Sequence, residues 1–307
     1  MLRYAIQRIL QLIPTIFGIC TLVFLLMRVL PGDPASFLAG AHDDAETINN
    51  LRAQLHLDEP IWNQYVGFLE DLGHGNFGNS YISHRPVLSV ISAAFPNTLE
   101  LAASAMLIAV TLGVPLGIIA ATRRNSVWDT VSRLIALTGV SIPVFWLGLQ
   151  LQIVFGLQLH LLPISGAGLD EHLILPAICA SLGMLALLTR MTRSALLEVL
   201  NQDYIRTAHS KGLSQRRINF RHALSNALLP VITVFGTSIA GLLSGTLLVE
   251  VIFSWPGIGR QLVDAIGARD YPMVQGLVIL FALIYTGINM LIDLAYPLLD
   301  PRIRYHD

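Results

Sequence analysis

Residues 203–230 read DYIRTAHSKGLSQRRINFRHALSNALLP, a basic segment between long apolar runs. The pattern predicts about two short helices, interrupted at residues 211–214. Gly212 suits the left-handed backbone conformation at a helix end, which residues with a Cβ atom avoid. Ser214 can then cap the following helix. Polar helices of this kind, placed between membrane spans, are typical of a segment that a partner binds on the same side of the membrane.

The composition places the chain among integral membrane proteins. Hydrophobic residues make up 54% and charged residues 13% of the sequence, and the mean hydropathy is +0.63. A helix needs about 20 apolar residues to cross a bilayer core of roughly 30 Å. Runs of that size predict an all-α polytopic membrane protein with six transmembrane helices, at about 9–30, 98–121, 133–158, 173–195, 224–251 and 274–297.

Both cysteines, Cys20 and Cys179, lie within predicted spans, where we expect buried free thiols rather than a disulfide framework. Cys20 is not expected to mark a lipoprotein cleavage site, because the bulky Ile19 precedes it. The first apolar run also exceeds the roughly 7–15 residues of a cleavable signal core, so it is predicted to be a retained span.

The basic residues predict the orientation in the membrane. Most of the 19 Lys and Arg residues fall in the two termini and in alternate loops, and the exceptions are Arg28, Arg52, Arg85, Arg260 and Arg269. By the positive-inside rule, both termini then lie in the cytoplasm. An even number of spans requires the same arrangement.

The predicted organisation follows from the spans. It comprises an N-terminal tail with the first span (1–30), a small exterior lobe (31–97), a five-helix core (98–297) that includes a cytoplasmic loop (196–223), and a cytoplasmic tail (298–307). The lobe is acidic. Its residues 45–57 have helical spacing, and Trp62, Tyr65 and Phe68 suit one face of a second helix. The lobe serves either to dock a partner or only to cap the fold.

Motifs for catalysis and nucleotide binding are absent from the sequence. A P-loop needs glycine directly before its lysine, and Lys211, the only lysine, follows Ser210. The nine histidines show no pair at metal-ligand spacing on a shared helix face, so we expect no metal site. The chain is therefore predicted to be non-catalytic. Nucleic-acid binding is not expected, because the membrane topology accounts for the basic segments.

Residues 204–213 read YIRTAHSKGL and resemble the cytoplasmic coupling loop of bacterial ABC-importer permeases. The segment departs from the Glu-Ala-Ala signature of these permeases at Arg206 and Thr207. It matches instead the pattern YxRTAxxKGL of the branch that imports di- and oligopeptides, nickel and glutathione. Further patches of this branch agree in order along nearly the whole chain: PGDP at 31–34, LHLDEP at 55–60, FG and Ser at 77–80, TLEL at 98–101, SIPVFW at 141–146, FSWPGIGR at 253–260, RDYP at 269–272 and DPRIR at 300–304.

The resemblance implies the permease subunit of a binding-protein-dependent ABC importer in a bacterial inner membrane. Its implied partners are a second, similar permease, two ATPase subunits and an external solute-binding protein. ATP and Mg would bind to the ATPases, and no cofactor to this chain. Closure of the ATPases would push the coupling loop and reorient the spans. The implied coupling residues are Tyr204, Arg206, Thr207, Ala208, Lys211, Gly212 and Leu213.

Small residues follow two of the predicted spans. Gly113 and Gly117 in the second span have the GxxxG spacing that lets helices pack closely. The fifth span borders the translocation pathway in the family that the chain resembles. Its small residues are therefore candidates for the pathway: Gly236, Ala240, Gly241, Ser244 and Gly245.

A tight exterior turn is predicted at Trp255, Pro256 and Gly257, with Trp255 at the membrane interface. The turn serves either as a gate or docking element or simply as an ordered turn. Two acids lie near or within spans. Glu250 is expected to reach water at the exterior end of its helix, and Asp293 to pair with a basic residue of the C-terminal tail, so that both are structural rather than proton-relay groups.

Alternatives exist for the class of protein and for the cargo. A secondary transporter or channel would show inverted repeats and a coupling carboxylate at mid-membrane depth, and neither is clear. A scaffold or receptor without transport would leave the small residues of the fifth span unexplained. Short peptides are the favoured cargo, ahead of nickel or a metal chelate and of glutathione. The short connection at 159–172 lacks the insertion of some dipeptide permeases.

Overall fold

The structure is a computed structural model that describes residues 2–29, 33–39, 44–54 and 56–299. Within these ranges the chain is helical, apart from connecting segments and an isolated β-bridge between Asn79 and Pro86. The prediction of an all-α protein is confirmed. The α-helices are α1 (Leu2–Val29), α2 (Pro34–Ala39), α3 (Ala45–Gln54), α4 (Ile61–Gly73), α5 (Val87–Thr122), α6 (Val127–Ser141), α7 (Val144–Leu151), α8 (Ile174–Leu200), α9 (Asp203–Ser210), α10 (Gln215–Arg217), α11 (Leu224–Ile252), α12 (Ile258–Gly267) and α13 (Tyr271–Leu299).

Among the described residues, the segments long and apolar enough to cross a membrane are Leu10–Val29, Val87–Thr122, Glu171–Leu200, Gln215–Ile239 and Tyr271–Ile292. The predicted third span, 133–158, is not one continuous helix. Its two parts, α6 and Val144–Gln158, meet at an angle of 105°. Pro143 explains the break, because proline lacks a backbone N–H and pushes the preceding Ile142 out of the helical conformation; Ile142 is extended, with φ −80° and ψ 124°.

The chain forms two compact units. The first comprises Met1–Pro96 with Pro256–Thr286, and the second comprises Asn97–Trp255 with Gly287–Asp307. Each unit has its own buried apolar cluster, and each contains one of the two cysteines. Both thiols are buried and free, as predicted.

In the first unit, α3 and α4 lie where the sequence predicted two helices. Aromatic side chains fix α4 against α1: the ring of Phe24 lies 5.1 Å from that of Tyr65 and 5.6 Å from that of Phe68, measured between centroids. Trp62, which the sequence placed on the same face, is 69% exposed. Its ring centroid lies 5.9 Å from that of Tyr65, so the two residues share one side of α4.

A buried carboxylate joins two of the sequence patches in the first unit. Asp270 accepts hydrogen bonds from Ser80 Oγ at 2.5 Å, from the Tyr81 backbone N–H at 3.1 Å and from the Met273 backbone N–H at 3.3 Å. The last bond caps the start of α13. The sequence patches at 269–272 and 77–80 are thus in direct contact through hydrogen bonds to Asp270.

Glycines let α5 approach α8 closely in the second unit. A Cβ atom added to Gly113 would lie 2.9 Å from the carbonyl oxygen of Leu185. One added to Gly117 would lie 2.6 Å from Thr192 Cβ and 2.7 Å from the Thr189 carbonyl oxygen. The GxxxG spacing of the second span is therefore used for helix packing, as predicted.

Gly117→Ala is expected to lower the unfolding temperature of the purified protein. The new methyl group overlaps backbone and Cβ atoms of α8, and overpacking of this kind costs about 1–3 kcal/mol. The matched control is Gly183→Ala within α8, where an added Cβ meets nothing within 4 Å. Thermal unfolding in detergent measures both variants. Equal unfolding temperatures would show that the close α5–α8 contact does not stabilise the protein.

Candidate coupling surface and membrane-embedded polar groups

The predicted coupling segment begins with α9 and ends that helix in a Schellman motif. The backbone N–H of Leu213 donates to the carbonyl of Ala208 at 3.4 Å, and that of Gly212 donates to His209 at 2.9 Å. Gly212 has φ +74°, the left-handed conformation that the sequence predicted. The reversal of the chain after α9 is therefore built into its backbone.

One face of α9 is fixed in the core of the second unit. Ile205 and Ala208 are 1% and 8% exposed and belong to a buried cluster with Ile218, Ala223 and Leu196. The i, i+3 spacing of the two α9 residues places them on the same side of the helix. The segment is consequently packed against the helices that precede and follow it.

The opposite face of the segment is basic and exposed. Arg206, Lys211, Arg216 and Arg217 are all exposed, and Arg206 forms a surface ion pair with Asp203, at 3.2 Å. We call these four residues the coupling surface. Of the other predicted coupling residues, Thr207 and Gly212 are exposed, Leu213 is half-buried, and Tyr204 is exposed with its hydroxyl accepting from Asn226 Nδ2 at 2.9 Å.

Two details of the predicted helix–turn–helix are wrong. Ser214 precedes α10 in an extended conformation, but its side chain makes no capping hydrogen bond. The second helix is also not separate, because α10 continues through a π-helical turn at Ile218–Ala223 into α11. Movement of the basic surface would therefore pass directly into a membrane-spanning helix.

Trp255 is buried within the protein, and its predicted position at the membrane interface stays a prediction. It is 0% exposed, and its Nε1 donates to the backbone carbonyl of Asn97 at 2.8 Å. Its own backbone N–H donates to the Glu250 carbonyl at 2.8 Å, and Pro256 and Gly257 follow it before α12. The tryptophan is thus a structural anchor within the second unit, and a role of the turn as gate or docking element stays a prediction.

Glu250 does not reach water, contrary to the expectation. Its side chain is 0% exposed and accepts a hydrogen bond from Thr98 Oγ1 at 2.8 Å. A buried carboxylate needs such partners because its desolvation is costly. The pair links α11 with α5 and so favours the structural role that was predicted. The side chain of Asp293 lies outside the described residues.

The candidate pathway residues lie along α11. Gly236 is half-buried, and a Cβ added to it would lie 3.3 Å from Ile292. Gly241 is exposed, and an added Cβ would meet nothing within 4 Å. For Ala240, Ser244 and Gly245 only the helical backbone is described. Whether these residues border a pathway stays a prediction.

A buried ion pair between α6 and α8 was not predicted. Asp129, 0% exposed, accepts from Arg193 Nε at 2.7 Å and Nη2 at 3.1 Å, and Arg133 Nε lies 3.4 Å from its Oδ1. Two sequence signals point to it. Ser126 and Asp129 have the spacing of a helix-capping box, and Arg193 is a costly charge at the end of an apolar run.

Known membrane transport proteins resemble this chain along nearly its whole length. Residues 113–305 match the family described as binding-protein-dependent transport system inner membrane component, and residues 1–102 match the N-terminal region of such membrane components. The glutathione transport system permease protein GsiC of Escherichia coli (strain K12) is 43% identical over 305 residues, which are 99% of this chain and 100% of that protein. The protein of the same name from Shigella flexneri serotype 5b has the same values.

Solved structures of ABC transporters share the fold. An inward-facing form of the MetNI methionine ABC transporter has a TM-score of 0.59 at 16% identity and covers 69% of this chain and 97% of that one. An amino acid ABC transporter crystallised with histidines has a TM-score of 0.55 at 15% identity and covers 70% of this chain and 95% of that one. At such low identity, the likeness concerns the fold alone.

Proposed function

The chain belongs to the family of inner membrane components of binding-protein-dependent transport systems, and on that basis we propose that it forms half of the path by which an ABC importer carries a short peptide inward. It is a multi-pass permease of a bacterial inner membrane. An ABC importer of this family works with ATPase and binding-protein partners. The proposal adds a second, similar permease and two ATPase subunits, and leaves ATP hydrolysis to the latter.

The observation that supports this mechanism best is the geometry of the coupling surface. Its four basic side chains project from a segment whose other face is buried in the protein core. An acidic groove on an ATPase complements such a surface, and charge complementarity favours both encounter and correct register. Because α10 runs on into α11, a push on this surface is transmitted along a spanning helix.

The proposed topology has six spans, the third being the bent pair α6 and α7. Both termini and the coupling surface lie in the cytoplasm, as the positive-inside rule requires. The segment between α1 and α5 then faces the exterior, where a binding protein delivers solute. The small residues of α11 are the proposed lining of the path.

Glutathione is the cargo to test first. It is a tripeptide, so it belongs to the favoured class of short peptides, and relatives with 43% identity are named glutathione permeases. Other short peptides and metal chelates are the alternatives within the same family.

The first test is a mild-detergent pull-down of the tagged chain from its native membranes, with mass spectrometry of the bound proteins. We expect an ATPase pair, a second permease and a solute-binding protein. Ligand extracted from that binding protein identifies the cargo, and uptake of labelled glutathione into proteoliposomes containing the purified complex tests it directly. A lone homo-oligomer that transports without ATP would contradict the proposal.

Charge reversal on the coupling surface tests the mechanism. Arg216→Glu with Arg217→Glu is expected to lower ATP-driven uptake about tenfold, because attraction to an acidic groove becomes repulsion. The matched control is Arg123→Glu with Arg124→Glu, another exposed pair of neighbouring arginines on the proposed cytoplasmic side. If both double variants show the same ATP-driven uptake at equal protein levels, the charge of the coupling surface is not specifically required for transport.

A further inference from the structure

A polar cavity of about 390 Å³ lies within the first unit. Its walls come from the end of α1, from α4 and the segments on both sides of it, and from the beginning of α13; they include Arg28, Gln64 and Gln275. Cavities of several hundred Å³ with a few placed polar groups are typical of small-molecule sites. The cavity contains none of the residues of the coupling surface or of the proposed path along α11.

The guanidinium of Arg28 is held in a fixed position in the cavity wall. Its Nη2 donates to Gln64 Oε1 at 2.9 Å. Gln64 donates its Nε2 to the carbonyl oxygens of Glu59 at 2.8 Å and Leu57 at 3.2 Å, which turns its oxygen toward the arginine. The Cζ atom of Arg28 also lies 3.8 Å from the centroid of the Phe24 ring, a cation–π distance. The charge is therefore preorganised.

Three buried donor atoms on the cavity residues have no acceptor among the described residues. They are Nε and Nη1 of Arg28 and Nε2 of Gln275. Gln275 as a whole is only 9% exposed. Buried donors without acceptors are costly, and folded proteins keep very few of them. Two side chains of one cavity thus have unused donors, which acceptor oxygens of a ligand would satisfy.

Two carboxylates share the lining of the cavity with Arg28, those of Glu59 and Asp71. Glu59 Oε1 lies 2.8 Å from His56 Nδ1, and Asp71 accepts a hydrogen bond from Asn76 Nδ2 at 3.0 Å. Among the described residues, neither carboxylate forms an ion pair with Arg28. The phenol of Tyr81 interacts electrostatically with Arg28. Burial raises the pKa of Tyr81 to about 12, so this phenol stays neutral at physiological pH. Arg28 thus has no anionic partner among the described residues, and two of its donor atoms stay unused.

We propose that this cavity binds the carboxylate of a small solute. An ionised carboxylate has two oxygens, accepts about four hydrogen bonds and carries no donor. It fits a wall that offers a guanidinium and a primary amide, and hydrogen bonds between charged partners are the strong ones. If the proposed import function holds, the bound group is a carboxylate of the transported peptide, and the cavity is a subsite for cargo.

The test measures equilibrium binding of probes to the intact importer complex in lipid nanodiscs, without ATP and without the binding protein. The probes are radiolabelled glutathione and dialanine, each compared with the form in which all carboxylates are amidated. At least one peptide is expected to bind about tenfold more tightly than its amide, since the amide loses the charge-assisted hydrogen bonds. A complex that binds neither peptide more tightly than its amide overturns the proposal.

Variants locate the binding. Arg28→Gln is expected to abolish the difference between peptide and amide, and Gln275→Met to weaken peptide binding while preserving side-chain volume and the charge of Arg28. Arg52→Gln is the control, because Arg52 is an arginine of the same unit that pairs with Asp33 and Asp58 outside the cavity. If Arg28→Gln fails to assemble, Gln275→Met decides. The proposed site is overturned if Gln275→Met binds peptide with wild-type affinity and Arg28→Gln, where it assembles, does so as well.

The outcomes also separate the site from the proposed function. Carboxylate-dependent binding by a complex that imports neither peptide supports the site and contradicts peptide import. Import of a peptide that neither cavity variant affects supports the function and contradicts the role of the cavity as a cargo subsite.

Discussion

Asp129→Ala is expected to destabilise the protein by about 3 kcal/mol, because it leaves a largely buried arginine without its partner. The Asp129 side chain is 0% and that of Arg193 23% exposed, and two hydrogen bonds join them. Asp129 also accepts from the Asn125 backbone N–H at 3.0 Å, so the loop before α6 loses a contact as well. Thermal unfolding of the purified protein in detergent measures the effect.

A double-mutant cycle separates the ion pair from simple loss of volume. Asp129→Leu with Arg193→Met replaces both charges by apolar groups and is expected to recover most of the stability, since no uncompensated charge remains. Asp58→Ala is the matched control: it breaks an ion pair to Arg52 whose side chains are 56% and 40% exposed. Exposed pairs contribute little. If Asp129→Ala and Asp58→Ala unfold at the same temperature, the buried pair does not hold α6 to α8.

Local chemistry made much of the fold predictable. The end of α9 was predictable because Gly212 follows a helical stretch and glycine readily adopts the left-handed conformation. The observed φ of Gly212 is +74°. The close contact at Gly117 follows in the same way from a spacing of small residues. Both features depend on a few neighbouring residues, for which conformational preferences are strong.

Features that depend on residues distant in sequence were harder to predict. The turn at Trp255 gave no sign that its side chain is buried, with its Nε1 donating to the carbonyl of Asn97. The position of Glu250 near a helix end predicted contact with water, but Thr98 from α5 donates a hydrogen bond to its buried carboxylate. Pro143 by itself predicts a break in the helix, but the apolar run at 133–158 is uninterrupted and favoured a single continuous span. Partners from other helices decide burial, and a single sequence does not place them.

Gly212→Val is expected to reduce ATP-driven uptake about tenfold, because a β-branched residue in the left-handed region costs about 1–3 kcal/mol. An added Cβ at this position meets nothing within 4 Å. The strain is thus conformational and not a clash within the chain. Its relief would break the Schellman hydrogen bonds of Leu213 and Gly212 and displace Lys211 from the coupling surface. Uptake into proteoliposomes and the ATPase rate of the same complex are the measurements.

Gly212→Asn is the control that distinguishes backbone strain from side-chain bulk. Asparagine tolerates the left-handed conformation far better than valine and has a similar size. We expect the Asn variant to retain most uptake and the Val variant to hydrolyse ATP without matching transport. Equal losses in both variants would mean that any side chain at 212 obstructs a bound partner. Wild-type uptake in Gly212→Val, at normal levels of assembled complex, would mean that the geometry of this turn does not carry the motion of the ATPases into α11.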